Sequence, residues 1–146
     1  MRNGNLNILW LASREFIGFS TNHIDSIIDI WPNTIIKRVC FAHDALNMIE
    51  QGDIDILIMD PWIPEGHSCG KRKDFSSIQM DIGIEIVQRL RDSECNIPII
   101  AYSLPVDDSR ITPLEVQGVK VFTGVLGVDE LHDAIREMKQ AIEQQH

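Results

Sequence analysis

Apolar positions follow two alternating patterns along the chain. Five short apolar runs have the length and the bounding turn residues of strands, and segments with apolar residues at helical spacing separate them. Repeated alternation of this kind predicts a doubly wound α/β domain with a parallel sheet. The predicted strands cover 6–11, 34–40, a run that begins at 56 and carries Asp60, 97–102 and 119–123.

Two early helices are predicted from the residues that end them. The first ends at Pro32, because proline cannot continue a helix. The second covers 42–51 and ends at Gly52, a residue type favoured just past a helix end. The apolar face of the first helix is formed by Ile24, Ile27, Ile28 and Trp31.

Three more helices are predicted in the second half of the chain. Segment 106–117 is weakly patterned and contains Pro113, so a helix there is short or distorted. The last helix has the clearest apolar face, with Asp129 placed to cap its start. The apolar stripes of the other two are Ile82, Ile86, Val87 and Leu90 in one, and Leu131, Ala134, Ile135, Met138 and Ile142 in the last.

Composition favours one globular domain over residues 1–146. The apolar share is 44%, yet no stretch approaches the ~20 apolar residues that a membrane helix requires, so no membrane contact is expected. Three widely spaced cysteines argue against a disulfide framework, and the N-terminus lacks the apolar block of a secretory signal. These features together predict a cytoplasmic location.

Net charge narrows the range of partners. The chain has 22 acidic and 13 basic residues, which gives a formal charge of -9. Negative charge over most of the surface repels nucleic acid. Direct nucleic-acid binding is therefore not expected, and protein partners or small ligands are.

Asp60 is the first candidate functional residue. It ends an apolar run and precedes a turn bracketed by Pro61 and Pro64, which places it at the carboxyl end of a central strand. Ligands and reacting groups of open α/β sheets gather at that edge. A second interpretation stays open, because Asp before Pro commonly starts a turn.

Five residues match the pattern of one protein family in type and in order along the chain. Asp60 ends the third strand and Pro64 follows four residues later. Ser103 closes the fourth strand, Phe122 lies in the fifth, and Gly83 opens the helix after the third. With these residues in this order, nearly the whole chain resembles the receiver domains of bacterial response regulators. The resemblance implies a CheY-like, flavodoxin-like fold, in which a doubly wound five-stranded parallel sheet carries helices on both faces.

The resemblance also implies roles for three residues. Asp60 would be the phosphoacceptor, Ser103 the switch hydroxyl and Phe122 the switch aromatic. It implies a module of a two-component or phosphorelay pathway that is not an enzyme, with a histidine kinase, a phosphotransfer protein or a downstream effector as partner. Without the resemblance, Ser103 also fits a hydroxyl that bonds to a strand end, and Phe122 fits a core aromatic.

Two charged parts of the receiver site are missing at the matching positions. Ala12 and Ser13 stand where receivers have an acidic pair, and Gly124 or Val125 stands where they have a lysine. Because Mg²⁺ is usually held by carboxylates and waters, Asp60 alone is expected to bind this ion weakly, if at all. The sequence therefore predicts an atypical receiver with weak or absent phosphorylation that acts by protein contact.

Segment 65–79 is longer than the loop that follows the acceptor strand in receivers. The basic run Lys71, Arg72 and Lys73 could cover the Asp60 pocket and supply a positive charge. His67 and Cys69 are too few ligands for a structural zinc site. A solvated loop is the simplest interpretation, and its position makes it a candidate contact for a partner.

A flavodoxin-like protein that binds a small molecule or phosphate is the alternative function. Loop 13–22 precedes a helix, so its backbone amides could bind a phosphate, although it lacks the hydroxyl and glycine arrangement of an FMN site. A hydrolase is disfavoured because no His or Cys falls in a strand-to-helix nucleophile turn. His23, His43 and His132 are expected on helix surfaces.

Overall fold

The computed structural model describes residues 5–12, 17–60, 63–64, 78–79, 81–104 and 108–144. Across these residues five helices alternate with the strands of a central sheet. The strands are β1 (Asn7–Leu11), β2 (Ile35–Val39), β3 (Ile56–Met59), β4 (Ile63–Pro64), β5 (Ile78–Gln79), β6 (Ile99–Leu104) and β7 (Lys120–Thr123). The helices are α1 (Ile17–Ile30), α2 (Ala42–Glu50), α3 (Asp81–Asp92), α4 (Asp108–Val116) and α5 (Val128–Gln144).

Five of the strands form one parallel sheet in the order β2-β1-β3-β6-β7. This is the flavodoxin-like order, so the predicted doubly wound sheet is confirmed. Strand β3 lies at the centre and all four of its residues are buried, as expected for an apolar run covered on both faces. The outer strands β2 and β7 contain no fully buried residue.

The helices cover both faces of the sheet, as predicted. The α1/α5 cluster lies on one face, and the α2/α3/α4 cluster lies on the other. Alternate residues of each strand enter opposite clusters, because successive side chains of a strand point to opposite faces. Buried members of the α1/α5 cluster are Leu6, Ile8, Trp10, Ala12, Ile24, Ile27, Ile56, Ile58, Ile100, Tyr102, Leu126, Leu131, Ala134, Ile135 and Ile142. Those of the α2/α3/α4 cluster are Leu9, Leu11, Ala45, Ile49, Ile54, Leu57, Met59, Ile86, Val87, Leu90, Ile99, Ala101, Ile111, Leu114 and Val119.

The length of α4 and the start of α5 test two of the sequence predictions. Helix α4 has nine residues with Pro113 inside, so the prediction of a short helix is confirmed. The prediction that Asp129 caps α5 is wrong. The backbone N–H of Leu131 donates to the Gly127 carbonyl at 3.0 Å, which makes Gly127 the first residue of the helical hydrogen-bond pattern. Asp129 lies in the first turn, where a carboxylate is stabilised by the helix dipole.

Two residues of the α1–α5 layer differ from their predicted environment. Ile28 is exposed rather than part of the buried face of α1, which Ile24 and Ile27 form. His132 is buried, with 9% of its surface exposed, rather than lying on a helix surface. Helices α1 and α5 contact each other, and the side of a helix that meets a neighbour cannot be read from its own apolar pattern.

A second, two-stranded sheet was not predicted. Strands β4 and β5 pair antiparallel, with Ile63 opposite Gln79 and Pro64 opposite Ile78. The last two residues of the predicted loop 65–79 are therefore a strand that returns the chain to β4. Lys71, Arg72, Lys73, His67 and Cys69 lie outside the described residues. Within the described helices, none combines the length and the apolar character needed to span a membrane.

Candidate functional site around Asp60

Asp60 directly follows strand β3 at the carboxyl edge of the sheet. Its backbone N–H donates to the Leu11 carbonyl at 2.9 Å, which continues the β1–β3 ladder by one residue. Only 4% of its surface is exposed. A carboxyl group that is this deeply buried must be satisfied by polar neighbours.

Strand register identifies the residues beside Asp60. Met59 is level with Leu11 on one side and with Ala101 on the other. One residue further along each chain, Ala12 and Tyr102 follow those two partners and flank Asp60. Residues side by side in parallel strands share a face of the sheet, so these three belong to the same face.

Ala12 supplies no charge to this edge. It is buried at the end of β1, and its N–H donates to the Val39 carbonyl at 3.1 Å. Mg²⁺ is held by oxygen ligands, chiefly carboxylates and waters. In the part of the chain that the structure describes, no three His, Cys, Asp or Glu side chains come together as a metal-binding group. Ser13, the second position that matches the acidic pair, lies outside the described residues.

The two candidate positions for the receiver lysine also lack positive charge. Gly124 has φ of 71°, a left-handed conformation that favours glycine, and it turns the chain as it leaves β7. Val125 is 95% exposed, so its side chain faces solvent rather than Asp60. The nearby Lys120 is exposed, and its ammonium lies 5.7 Å from the ring centroid of Phe122.

Ser103 lies in β6, which is next to β3, and Phe122 lies in β7, which is next to β6. The β6–β7 pairing has an irregularity between the pairs Ala101–Val121 and Leu104–Thr123, and both residues fall within it. Phe122 is partly buried against the α1/α5 cluster. Asp60, Ser103 and Phe122 therefore lie at the carboxyl ends of three neighbouring strands, while their phosphoacceptor and switch roles stay predictions.

Trp10 and Tyr102 form a buried polar contact that the sequence reasoning missed. The Trp10 indole Nε1–H donates to the Tyr102 hydroxyl at 3.0 Å, and the two rings meet edge to face with centroids 5.8 Å apart. Their exposed fractions are 1% and 6%. Aromatic residues within otherwise aliphatic strands, beside a strand-end carboxylate, are the sequence signal that points to this contact.

The Tyr102 hydroxyl is neutral over the physiological range. Burial raises the pKa of Tyr102 well above its usual value. The hydrogen bond from Trp10 lowers this pKa in part, and the negative charge of Asp60 raises it further. Tyr102 is therefore a protonated phenol, one strand away from Asp60.

A chain of hydrogen bonds joins α1, α5 and the loop after β7. The Ser26 hydroxyl donates its single proton to the His23 carbonyl at 2.7 Å, so the Nε2 of His132, 2.9 Å from Ser26 Oγ, carries a proton and donates. The Nε2 of His23 faces the Leu126 carbonyl at 2.8 Å and donates as well. Because His132 donates to Ser26, it does not activate this hydroxyl as a nucleophile.

Comparison with known proteins gives a match by structure only. No family model and no curated protein matches the sequence. A signal receiver domain from Vibrio parahaemolyticus, from a protein described as a Luxo repressor, superposes with a TM-score of 0.74 at 14% identity, covering 97% of this chain and 95% of its own.

Two other solved structures have the same architecture. A two-component response regulator from Clostridium difficile superposes with a TM-score of 0.70 at 12% identity, covering 94% of this chain and 98% of its own. The chemotaxis response regulator CheY4 of Vibrio cholerae gives 0.66 at 12% identity, with coverage of 91% and 98%. Together with the strand order, these matches show that the chain has the flavodoxin-like fold of response-regulator receiver domains.

Proposed function

We propose that this chain is an atypical receiver module that signals through a protein partner, with Asp60 at the phosphoacceptor position. The observation that carries the proposal is the buried Asp60 carboxyl at the carboxyl end of β3, in the fold of receiver domains. That edge is where open α/β sheets place their reacting groups. The module acts by contact, as a signalling protein rather than as an enzyme.

Magnesium-dependent phosphorylation of Asp60 is weak or absent in this proposal. Transfer of a phosphoryl group to a carboxylate brings negative charges together, and receivers offset them with a Mg²⁺ ion held by acidic residues and with a lysine. Here Ala12, which is buried beside Asp60, and Gly124 and Val125, which follow β7, stand at the positions that match those charged residues. None of the three carries charge, so the developing charge is poorly stabilised.

The partner is a histidine kinase, a phosphotransfer protein or a downstream effector. A formal charge of -9 disfavours direct binding to nucleic acid and favours a partner with a basic surface. The basic run Lys71, Arg72 and Lys73 is the candidate contact for an acidic surface of that partner. A cytoplasmic site of action is part of this proposal.

An amide NMR titration with Mg²⁺, then with beryllofluoride as a mimic of the acyl phosphate, tests the role of Asp60. We expect small shifts at millimolar Mg²⁺ and weak beryllofluoride-dependent shifts that centre on Asp60 and extend to Ser103 and Phe122. Asp60→Asn should remove them. Asp133→Asn is the matched control, because the Asp133 side chain is exposed on α5, where it pairs with Arg136.

One result would contradict this proposal, and another would narrow it. Strong, saturable shifts at sub-millimolar Mg²⁺ would mean that undescribed residues complete a working magnesium site, so the protein would be an ordinary receiver. A spectrum that does not change with either addition would remove phosphorylation from the proposal. Signalling by contact would then depend on partner binding alone.

A further inference from the structure

Strand β2 forms one edge of the parallel sheet. Among the described residues it pairs only with β1, in an unbroken register from Ile35 to Val39. The N–H of Ile35 donates to the Leu6 carbonyl at 2.8 Å, so the backbone groups of Ile35 face β1. Backbone groups of successive residues in a paired strand point to alternate sides. The N–H and C=O groups of Ile36 and Arg38 therefore face outward, away from β1.

This edge is basic in an otherwise acidic chain. Lys37 and Arg38 are both exposed, and segment 30–43 contains no Asp or Glu, although the chain has 22 acidic residues. Neither cation forms an ion pair with a described residue. Ile36 packs against the α1/α5 cluster and Val39 against the α2/α3/α4 cluster. Because side chains alternate along a strand, Arg38 lies on the first of these faces and Lys37 on the second. One positive charge on each face therefore flanks the outward backbone groups.

The opposite edge of the sheet, strand β7, lacks this combination. Its pairing with β6 is irregular, whereas the pairing of β1 with β2 is continuous. Its one basic residue, Lys120, lies over the ring of Phe122, with 5.7 Å between the ammonium and the ring centroid. Edge strands with outward backbone groups are open to pairing with another chain. Of the two edges, β2 is the one that combines a regular strand with two exposed cations.

We propose that the outer edge of β2 binds an extended acidic segment of a partner protein, which adds to the sheet as a further strand. Main-chain hydrogen bonds form with Ile36 and Arg38, and carboxylates of the segment pair with Lys37 and Arg38. Ile35, which is 43% exposed on the same face as Lys37, contacts an apolar side chain of the segment. A second copy of β2 is disfavoured as the occupant, because like charges would lie opposite each other.

An antiparallel segment, which gives the more stable pairing per residue, has a defined order of side chains. Read from its N-terminus, the segment lies opposite β2 from Arg38 back to Ile35. The expected pattern is therefore two acidic residues, any residue, and an apolar residue. Salt screens charges beyond about 8 Å at physiological ionic strength, so a short segment responds to Lys37 and Arg38 more than to the formal charge of -9.

This inference goes beyond the proposed function, because it names a surface and a partner chemistry that do not depend on phosphorylation of Asp60. The probe is a short synthetic peptide with two adjacent glutamates followed, after one threonine, by a leucine. Titrated into the full chain, it should cause saturable amide NMR shifts that centre on 35–39. It should also slow amide hydrogen exchange at Ile36 and Arg38. A peptide with glutamine in place of both glutamates should bind more weakly.

A matched pair of arginine variants tests the charge. Arg38→Gln should weaken peptide binding about twofold to fivefold, because it removes one exposed ion pair. Arg89→Gln is the control, since Arg89 is exposed on α3 and its loss changes the net charge equally. This control should bind the peptide as the wild type does.

Two N-methylated versions of the peptide test strand addition separately from charge. In one version the methyl groups are on the alternate amides that face β2, and in the other they are on the amides that face solvent. The first version should bind about tenfold more weakly or worse, because it loses main-chain hydrogen bonds. The second should keep most of its affinity.

Four results would overturn this inference. They are no saturable shifts at millimolar peptide, shifts that centre away from β2, equal binding to Arg38→Gln and Arg89→Gln, and equal effects of the two methylation patterns. A dimer of the protein alone that pairs through β2 would also overturn it, because a second copy would then be the occupant. Peptide binding and the beryllofluoride response are measured separately, so failure of one does not imply failure of the other.

Discussion

The two faces of the sheet have different cores. The buried α2/α3/α4 cluster consists of aliphatic side chains and alanines with one methionine, Met59. The α1/α5 cluster contains Trp10 and Tyr102, has Phe122 and Trp31 packed against it, and borders the bonds of His132. The core of the first face is held by aliphatic packing, whereas the core of the second also contains a directional hydrogen bond between buried side chains.

This difference predicts which face of the sheet a change at Asp60 would affect. Aliphatic packing is non-directional and tolerates swaps that conserve volume. Hydrogen-bonded aromatics require one geometry, and their partners here lie beside Asp60, along α1 and α5, and in the loop after β7 at Leu126. We therefore expect the α1/α5 face, rather than the aliphatic face, to respond to the state of Asp60.

The largest loss of stability is expected from a substitution on the aliphatic face. It tests whether this face is stabilised by apolar packing. Leu57 is fully buried in β3 within the α2/α3/α4 cluster. Leu57→Ala should lower the free energy of unfolding by about 2–5 kcal/mol, because it removes apolar contacts and leaves a cavity. Urea unfolding measures this change.

Leu57→Met is the matched control, because it nearly conserves volume. It should cost less than about 1.5 kcal/mol. A loss of similar size in both variants would show that this face also depends on one specific geometry, and the contrast between the faces would fail.

A smaller loss is expected on the aromatic face from a change of one hydroxyl. Tyr102→Phe leaves the buried Trp10 N–H without its acceptor and should cost about 1–3 kcal/mol. In a double-mutant cycle, Trp10→Phe and Tyr102→Phe should be clearly non-additive, because they act on one contact. Additive losses would mean that the two rings only pack.

The pH dependence of stability gives the same variant a second readout. The pKa of Tyr102 in the folded state is raised above its unfolded value of 10.0, so the unfolded state loses this proton first. The contribution of the protonated Tyr102 hydroxyl to the stability of the folded state is therefore present below pH 10 and is lost progressively above it. We expect the free energy of unfolding of the wild type to fall more steeply above pH 10 than that of Tyr102→Phe. Parallel curves for the two proteins would argue against a raised pKa of Tyr102.

The smallest effect tests the α1–α5 hydrogen bonds. Ser26→Ala removes the acceptor of His132 Nε2–H and should cost about 1 kcal/mol by thermal or urea unfolding. Ser93→Ala is the control, because Ser93 Oγ donates to the Leu90 carbonyl near the exposed end of α3. Its cost should be within about 0.5 kcal/mol. Equal losses of stability in the two variants would show that the hydrogen bond between His132 and Ser26 contributes no more than an exposed one.

Local pattern was enough for the sheet and for the position of Asp60. Apolar runs of strand length, stopped by turn residues, identify buried parallel strands because both faces of such strands are covered. The place of Asp60 follows from the end of one such run at Met59. Its identity as phosphoacceptor does not follow from pattern and stays a proposal.

The sequence by itself determined the α/β class, the five parallel strands and the absence of charge at Ala12 and Gly124, because these depend on residues close together in the chain. Only the tertiary structure decided the Trp10–Tyr102 bond, which joins residues 92 positions apart, and the burial of His132 against Ser26. Such contacts depend on strand register and on which helices become neighbours. Those arrangements are set by the packing of the whole chain, so no local pattern records them.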